Sequence, residues 1–165
     1  MEIQGNCDNK FKEVKDLFES LHSSGREVGS SFAVYKDGKA IVDIWGGYID
    51  KQKTNLWGKD SLATVWSTTK GVAAITCALA VQKGLLDYEE KVSLYWPEFG
   101  CNGKEDITVG MLLSHQAGIC GSSTNDVKDY YSQETMAEEL AAMKPIWEPG
   151  TASGYHSMTY GWLTS

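Results

Sequence analysis

The apolar positions change period along the chain, and each change marks an element. Phe11, Val14, Leu17, Phe18 and Leu21 recur at helical spacing with charges between them. That spacing predicts an amphipathic helix from about Asn9 to Ser23, stopped by Gly25. Ser31 to Lys36 and Lys39 to Trp45 are rich in β-branched and aromatic residues and are joined by Asp37-Gly38. Such a dipeptide favours a two-residue hairpin turn, so two antiparallel strands are predicted, with Gly46-Gly47 ending or bulging the second. Tyr48 to Asp60 reads as loop. A helix then begins at or just before Ser67, and Val72, Ile75, Thr76 and Leu79 hold one face until Gly84. This helix is expected to be largely buried.

Beyond Leu85 the pattern is mostly helical and short in period. Leu85 to Phe99 reads as loop with short helical turns around Trp96-Pro97. Thr108 caps a short helix through Met111-Leu112-Leu113-Ser114, with His115 in its last turn and Gly118 where it should end. Gly121 to Ser132 is polar loop. A further helix starts at Ser132 or at Thr135, the latter pairing with Glu138 as a capping box, and stops at Lys144-Pro145. Trp147-Glu148-Pro149-Gly150 makes a turn, and a last helix starts near Met158.

With 165 residues, 42% hydrophobic and 22% charged, the chain is long enough for a real core and reads as one domain, 1–165. No repeat or linker interrupts it. A net charge of −7, with Arg26 the only arginine, argues against nucleic acid and against anionic membranes as partners. No apolar run reaches membrane-spanning length, and the polar start lacks the features of a signal peptide, so a cytoplasmic location is expected. Cys7, Cys77, Cys101 and Cys120 have no C-x-x-C spacing and no nearby pair of histidines. Reduced thiols are expected, with neither metal nor cofactor.

The chemistry gathers at Ser67-Thr68-Thr69-Lys70. On a helix, a residue three positions on lies one turn along the same face, so an amine stands beside a hydroxyl. A serine hydroxyl must lose its proton as it attacks, and a nearby unprotonated lysine can take it. The helix start adds free N–H groups and a positive dipole end, which favour an oxyanion. Four residues alone are weak, since Ser-x-x-Lys arises by chance in chains of this length.

The surrounding segments make the pattern specific. Val42-Asp43-Ile44-Trp45-Gly46-Gly47, Trp57 and Val65-Trp66-Ser67-Thr68-Thr69-Lys70-Gly71 come first in the chain. Gly84-Leu85-Leu86-Asp87, Tyr95-Trp96-Pro97, Ile107-Thr108-Val109 and Leu112-Leu113-Ser114-His115-Gln116-Ala117-Gly118 follow. Pro149-Gly150, Tyr155 and Tyr160-Gly161-Trp162-Leu163 complete the series. In this order they resemble the β-lactamase-related serine hydrolases: class C β-lactamases, penicillin-binding-protein-like peptidases and family VIII-type esterases. The resemblance implies an α+β fold of the α/β sandwich type, the β-lactamase/transpeptidase-like fold. It also implies Ser67 as acylated nucleophile, Lys70 as its activating partner and Tyr155 as the phenol or phenolate that relays the proton. A phenol near a lysine can titrate with it as a unit.

Two departures qualify what the resemblance implies. Ser157 stands where many relatives carry Asn two places after the tyrosine, which favours an esterase-like member; Ser157 and His156 are the expected substrate contacts. The third motif of the family, a Lys-Thr-Gly strand that supplies half of the oxyanion hole, has no counterpart. The chain is therefore expected to be an N-terminal portion, truncated at its C-terminal side and lacking the later sheet strands. The expected activity is hydrolysis of a small ester or amide through a Ser67 acyl-enzyme. The alternatives are a catalytically incompetent short form that pairs an open sheet edge with another chain, and an assembly-forming protein.

Other residues invite blander readings. His115 in a Leu-Leu-Ser-His turn is expected to be structural, and His22 to lie at the surface. Ser153 sits one place late for G-x-S-x-G and follows no strand, and Ser123-Thr124-Asn125 lacks the aspartate of a Ser-Asp-Asn triplet. The six tryptophans are expected to fill the core.

Overall fold

Both residues of the Asp37-Gly38 turn have positive φ, 50° and 74°. That geometry matches the right-handed twist of the strands it joins, and Gly38 adopts it without steric cost. In the computed structural model, which describes residues 2–165, the turn joins β2 (Gly29–Lys36) to β3 (Lys39–Gly47). Each strand extends two residues beyond its expected bounds at the end away from the turn. The register pairs Lys36 with Lys39 and Val34 with Val42, with an irregularity between Val34 and Tyr35.

The fold divides into two compact units, Met1–Thr64 and Val65–Ser165. In the first, a third strand, β1 (Gln4–Cys7), pairs antiparallel with β3, giving the order β1-β3-β2. The polar pattern of residues 4–7 does not predict this strand; backbone pairing along β3 makes it. A short 3₁₀ turn, Asn9–Phe11, is capped by the Asp8 carboxylate and leads into α1 (Lys12–Ser23). Val42 and Ile44 alternate inward from β3 and meet Phe18 of α1 and Ile3. That small cluster is the core of this unit. His22 is not at the surface: it lies one helical turn from Phe18, on the same face, and is buried. Its Nδ1 pairs with the Phe18 carbonyl at 2.8 Å and its Nε2 with the Ser30 hydroxyl at 3.2 Å, so both polar atoms are satisfied.

The second unit is helical. It contains α2 (Thr68–Gln82), α3 (Val92–Tyr95), α4 (Val109–Leu113), α5 (Gln133–Ala142) and α6 (Thr159–Thr164). Thr108 caps α4, accepting from the Met111 N–H at 3.1 Å. For α5 the cap is Ser132, accepting from the Thr135 N–H at 3.2 Å, so the helix starts at the earlier of the two expected positions. Phe99, Ile107, Ile119 and Leu140 are fully buried at the centre, ringed by Val92, Val109, Leu112, Ala117 and Leu163. Phe99 and aliphatic side chains fill this interior. The tryptophans do not: Trp96 and Trp162 pack at its margin, and Trp66 is 82% exposed. A large indole is harder to enclose than a branched aliphatic chain.

The expectation of a buried α2 also fails. None of its residues is fully buried, and Val72, Ile75 and Leu79 are 60%, 70% and 48% exposed. Val72, Ala73, Ala74, Ile75, Cys77, Ala78, Leu79, Ala80 and Val81 place apolar groups on every side of the helix. Such a helix needs cover on more than one side. Within its unit α2 packs along α6. Among the described residues, no helix is long and apolar enough to cross a membrane.

Candidate active site

Ser67 stands at the N-terminal boundary of α2 with φ −68° and ψ −9°, already helical. The residue before it, Trp66, has φ 48°. A bulky residue in the left-handed region is uncommon, and such strain concentrates where a side chain must be presented at a set angle. The turn is closed by bonds from Thr69 N–H to the Trp66 carbonyl and from Lys70 N–H to the Ser67 carbonyl, both 3.0 Å. Helical spacing then does what the sequence predicts. Lys70 Nζ donates to Ser67 Oγ at 3.2 Å.

Lys70 also reaches across the unit. Its Nζ donates to the Ser157 carbonyl at 2.8 Å and lies 5.0 Å from the centre of the Tyr155 ring and 5.8 Å from that of Tyr160. The structure therefore brings Ser67, Lys70 and Tyr155 together. The Tyr155 phenol is held below its ordinary pKa first by the Ser67 hydroxyl; desolvation opposes this, and the Lys70 hydrogen bond and charge add to the lowering. Tyr155 remains 55% exposed, open to a ligand.

Two antiparallel runs of chain hold this tyrosine. The Gln116 and Gly118 carbonyls accept from the Gly150 and Ile146 N–H groups, and the His115 carbonyl accepts from Gly154 N–H at 3.0 Å. Ser153 Oγ donates to the Ser114 carbonyl at 3.2 Å, and Thr159 Oγ1 donates to the Ile119 carbonyl at 2.6 Å. Gly154 is required by close approach. A Cβ there would lie 2.4 Å from the Trp147 ring. Ser153 is thus a backbone tether, and the Ser122-Ser123-Thr124 loop is fastened by the Glu139 carboxylate.

His115 is structural, as expected, whereas His156 takes a different place from the one expected. His156 is fully buried. Its Nε2 accepts from Ile119 N–H at 3.2 Å and its Nδ1 faces the Gly154 carbonyl at 2.6 Å, so it supports backbone and does not offer itself to substrate. Its neighbour in sequence, Tyr155, is exposed where the chain turns, its carbonyl accepting from Ser157 N–H at 2.9 Å. Ser157 is exposed and engages Lys70 through its carbonyl. His115 lies just past α4, with φ 64°, and its ring packs against Tyr155, Tyr160 and His156 at 5.1, 5.1 and 5.3 Å between centres. Tyr160, buried beneath Lys70, was not singled out in the sequence beyond its place in Tyr-Gly-Trp-Leu. Burial above all pushes its phenol up in pKa. Among the described residues, no group of three His, Cys, Asp or Glu side chains is placed to hold a metal ion.

Comparisons with known proteins agree with this geometry. The family model described as Beta-lactamase matches residues 14–165. Esterase/beta-lactamase LipL of Mycobacterium tuberculosis is 40% identical over 163 residues, covering 99% of this chain and 38% of that protein. The crystal structure of a family VIII carboxylesterase superposes with a TM-score of 0.90 at 44% identity, covering 99% of this chain and 45% of that one. A penicillin-binding protein homologue from Caulobacter crescentus gives 0.90 at 39% identity, covering 99% and 44%. The chain thus spans less than half the length of each of these relatives and has their β-lactamase/transpeptidase-like fold over that span. Because the matched region takes in the whole helical unit together with β2 and β3, the chain belongs to the Beta-lactamase family.

Proposed function

We propose that the chain carries the nucleophile half of a serine hydrolase that cleaves a small ester, with Ser67 acylated, Tyr155 as proton acceptor and Lys70 holding the two in register. The observation that carries this reading is the bridge made by Lys70 Nζ between Ser67 Oγ and the Ser157 carbonyl, beside the Tyr155 ring. A phenol whose pKa is lowered and which stands next to a serine hydroxyl gives up its proton more readily than an ordinary tyrosine and so is better placed to act as the base. As Ser67 Oγ bonds to the ester carbonyl carbon, its proton passes to the Tyr155 oxygen and the carbonyl oxygen becomes an oxyanion. The positive dipole end of α2 favours that charge, while the N–H groups of Thr68, Thr69 and Lys70 stay bonded to the Val65, Trp66 and Ser67 carbonyls. Collapse breaks the bond to the alcohol oxygen, which takes the proton back from Tyr155. Water then repeats the sequence on the acyl-serine and releases the acid.

An ester is favoured over a β-lactam on two grounds: Ser157 offers a hydroxyl where many relatives offer an amide, and two of the similar proteins are named as esterases. Treatment with a fluorophosphonate and measurement of intact mass tests the proposal. One adduct on wild type, absent in Ser67→Ala and slowed by about 100- to 10,000-fold in Tyr155→Phe, is the expected result. A folded wild-type chain that takes no adduct would refute it.

A further inference from the structure

We propose that His115 and His156 are positioning residues that act through Tyr155 as a tautomer-matched pair. Both are neutral, His115 carrying its proton on Nε2 and His156 on Nδ1, and together they hold the Gly154–Ser157 turn in place; a proton gained by either one releases the turn. The inference rests on the catalytic role proposed for Tyr155.

The hydrogen bonds fix the tautomers. His115 Nδ1 accepts from the His156 backbone N–H at 3.1 Å, so Nδ1 is bare and the ring proton lies on Nε2. His156 Nε2 accepts from the Ile119 N–H at 3.2 Å, which leaves its proton on Nδ1, facing the Gly154 carbonyl at 2.6 Å. His156 follows Tyr155 in sequence and its ring holds the Gly154 carbonyl just before it, while His115 packs on the Tyr155 ring and supplies both a ring acceptor and a carbonyl acceptor to the same turn. A third contact closes the frame, because the Ile119 carbonyl accepts from Thr159 at the start of α6.

An imidazolium carries N–H on both nitrogens. Protonated His115 would point an N–H at the His156 N–H, and protonated His156 would point one at the Ile119 N–H. The groups packed around the pair oppose that charge. His115 faces Lys70 of α2, Tyr155 and His156 of the turn, and Tyr160 of α6; His156 faces His115 and the edge of Trp147. No carboxylate is among them. Burial first, and Lys70 second, hold His115 below the ordinary histidine value; burial first holds His156 below it, with His115 adding to the shift and the Gly154 carbonyl opposing it. The sign follows: the neutral pair is complete above the ordinary value of about 6.5, and the lock is lost as pH falls through folded values lying below it.

The backbone at His115 supplies the discriminating variant. With φ 64°, asparagine is among the few residues tolerated there, its side-chain oxygen can accept the His156 N–H, and it does not titrate. Nitrogen-resolved NMR of the 165-residue chain at pH 7.5 is expected to show His115 as the Nε2–H form and His156 as the Nδ1–H form. The fluorophosphonate labelling rate is then followed from pH 8 to pH 5. His115→Asn is expected to retain most of the pH 8 rate and to lose it at lower pH than wild type. His115→Phe, which keeps a ring but no acceptor, is expected to fall by about tenfold or more throughout. Either histidine in the other tautomer, or charged at pH 7.5, overturns the proposal, as does a folded His115→Asn chain no faster than His115→Phe. If wild type takes no adduct at all, it is the reading of Ser67 that fails. The tautomers, and the shift of the Tyr155 ring signals as His115 titrates, then decide the positioning role by themselves.

Discussion

Lys104 is the most consequential side chain that the sequence left unremarked. It is fully buried in the second unit, its Nζ donating to the Cys101 carbonyl at 2.9 Å and to the Met143 carbonyl at 2.5 Å, with the Phe99 ring 5.2 Å away. Together with Cys101 Sγ on the Ala141 carbonyl and Asn102 Nδ2 on the Ala142 carbonyl, it closes the C-terminal end of α5. A cation suits that end of a helix. In Lys104→Met the stem is replaced by a chain of similar length and only the ammonium is lost. Two charge-assisted bonds are worth about 3–6 kcal/mol gross, while burying the ammonium costs several kcal/mol in return. The Cys101 carbonyl keeps its bond from the Lys104 backbone N–H, so the Met143 carbonyl is the one left without a partner. Orphaning it costs about 1–3 kcal/mol, and a net loss of about 2 kcal/mol is expected. Urea unfolding at pH 7 should show the midpoint falling by about 1 M with an unchanged slope. Burial lowers the Lys104 pKa from its ordinary 10.5, so the unfolded chain binds the extra proton and wild type should gain on the variant as pH rises toward that value. A Met variant as stable as wild type at pH 7 would refute the reasoning, because desolvation would then equal or exceed what the two carbonyls return.

Three further outcomes follow from single contacts. Gly154→Ala places a methyl 2.4 Å from the Trp147 ring, so a loss of about 1–3 kcal/mol is expected, with labelling of Ser67 reduced as the Tyr155 turn shifts; thermal unfolding and adduct mass read the two effects. For Glu139, burial pushes the carboxyl up in pKa, but hydrogen bonds from Ser123, Ser122 and Thr124 outweigh it and hold the group below its ordinary 4.5. Its stabilisation is therefore present above that value and lost as pH falls through the lower folded value; Glu139→Gln should flatten this slope in urea midpoints taken from pH 3 to pH 7. Thr159→Val removes the bond to the Ile119 carbonyl without changing shape. It should cost about 1–3 kcal/mol by urea unfolding and slow labelling at Ser67, because that carbonyl belongs to the frame around Tyr155.

What the sequence determined by itself is what local geometry controls. Ser67 and Lys70 meet because residues three apart on a helix share a face, whatever surrounds them. Asp37-Gly38 makes its turn because both residues accept positive φ, and Thr108 and Ser132 cap helices with their own hydroxyls. Tyr155 was legible only through ordered resemblance, since nothing local links it to Ser67. Tertiary structure decided the rest, where the outcome depends on partners remote in sequence. β1 exists because β3 offers it backbone groups, and His22 is buried because Phe18 and Ser30 satisfy both ring nitrogens. The side of the turn that His156 faces depends on Ile119 and His115, some forty residues earlier, which adjacency to Tyr155 could not show. Periodicity marked α2 as apolar but could not say which faces would find neighbours. An apolar side chain carries its tendency to be buried in its own chemistry, whereas the surface that covers it belongs to another part of the fold.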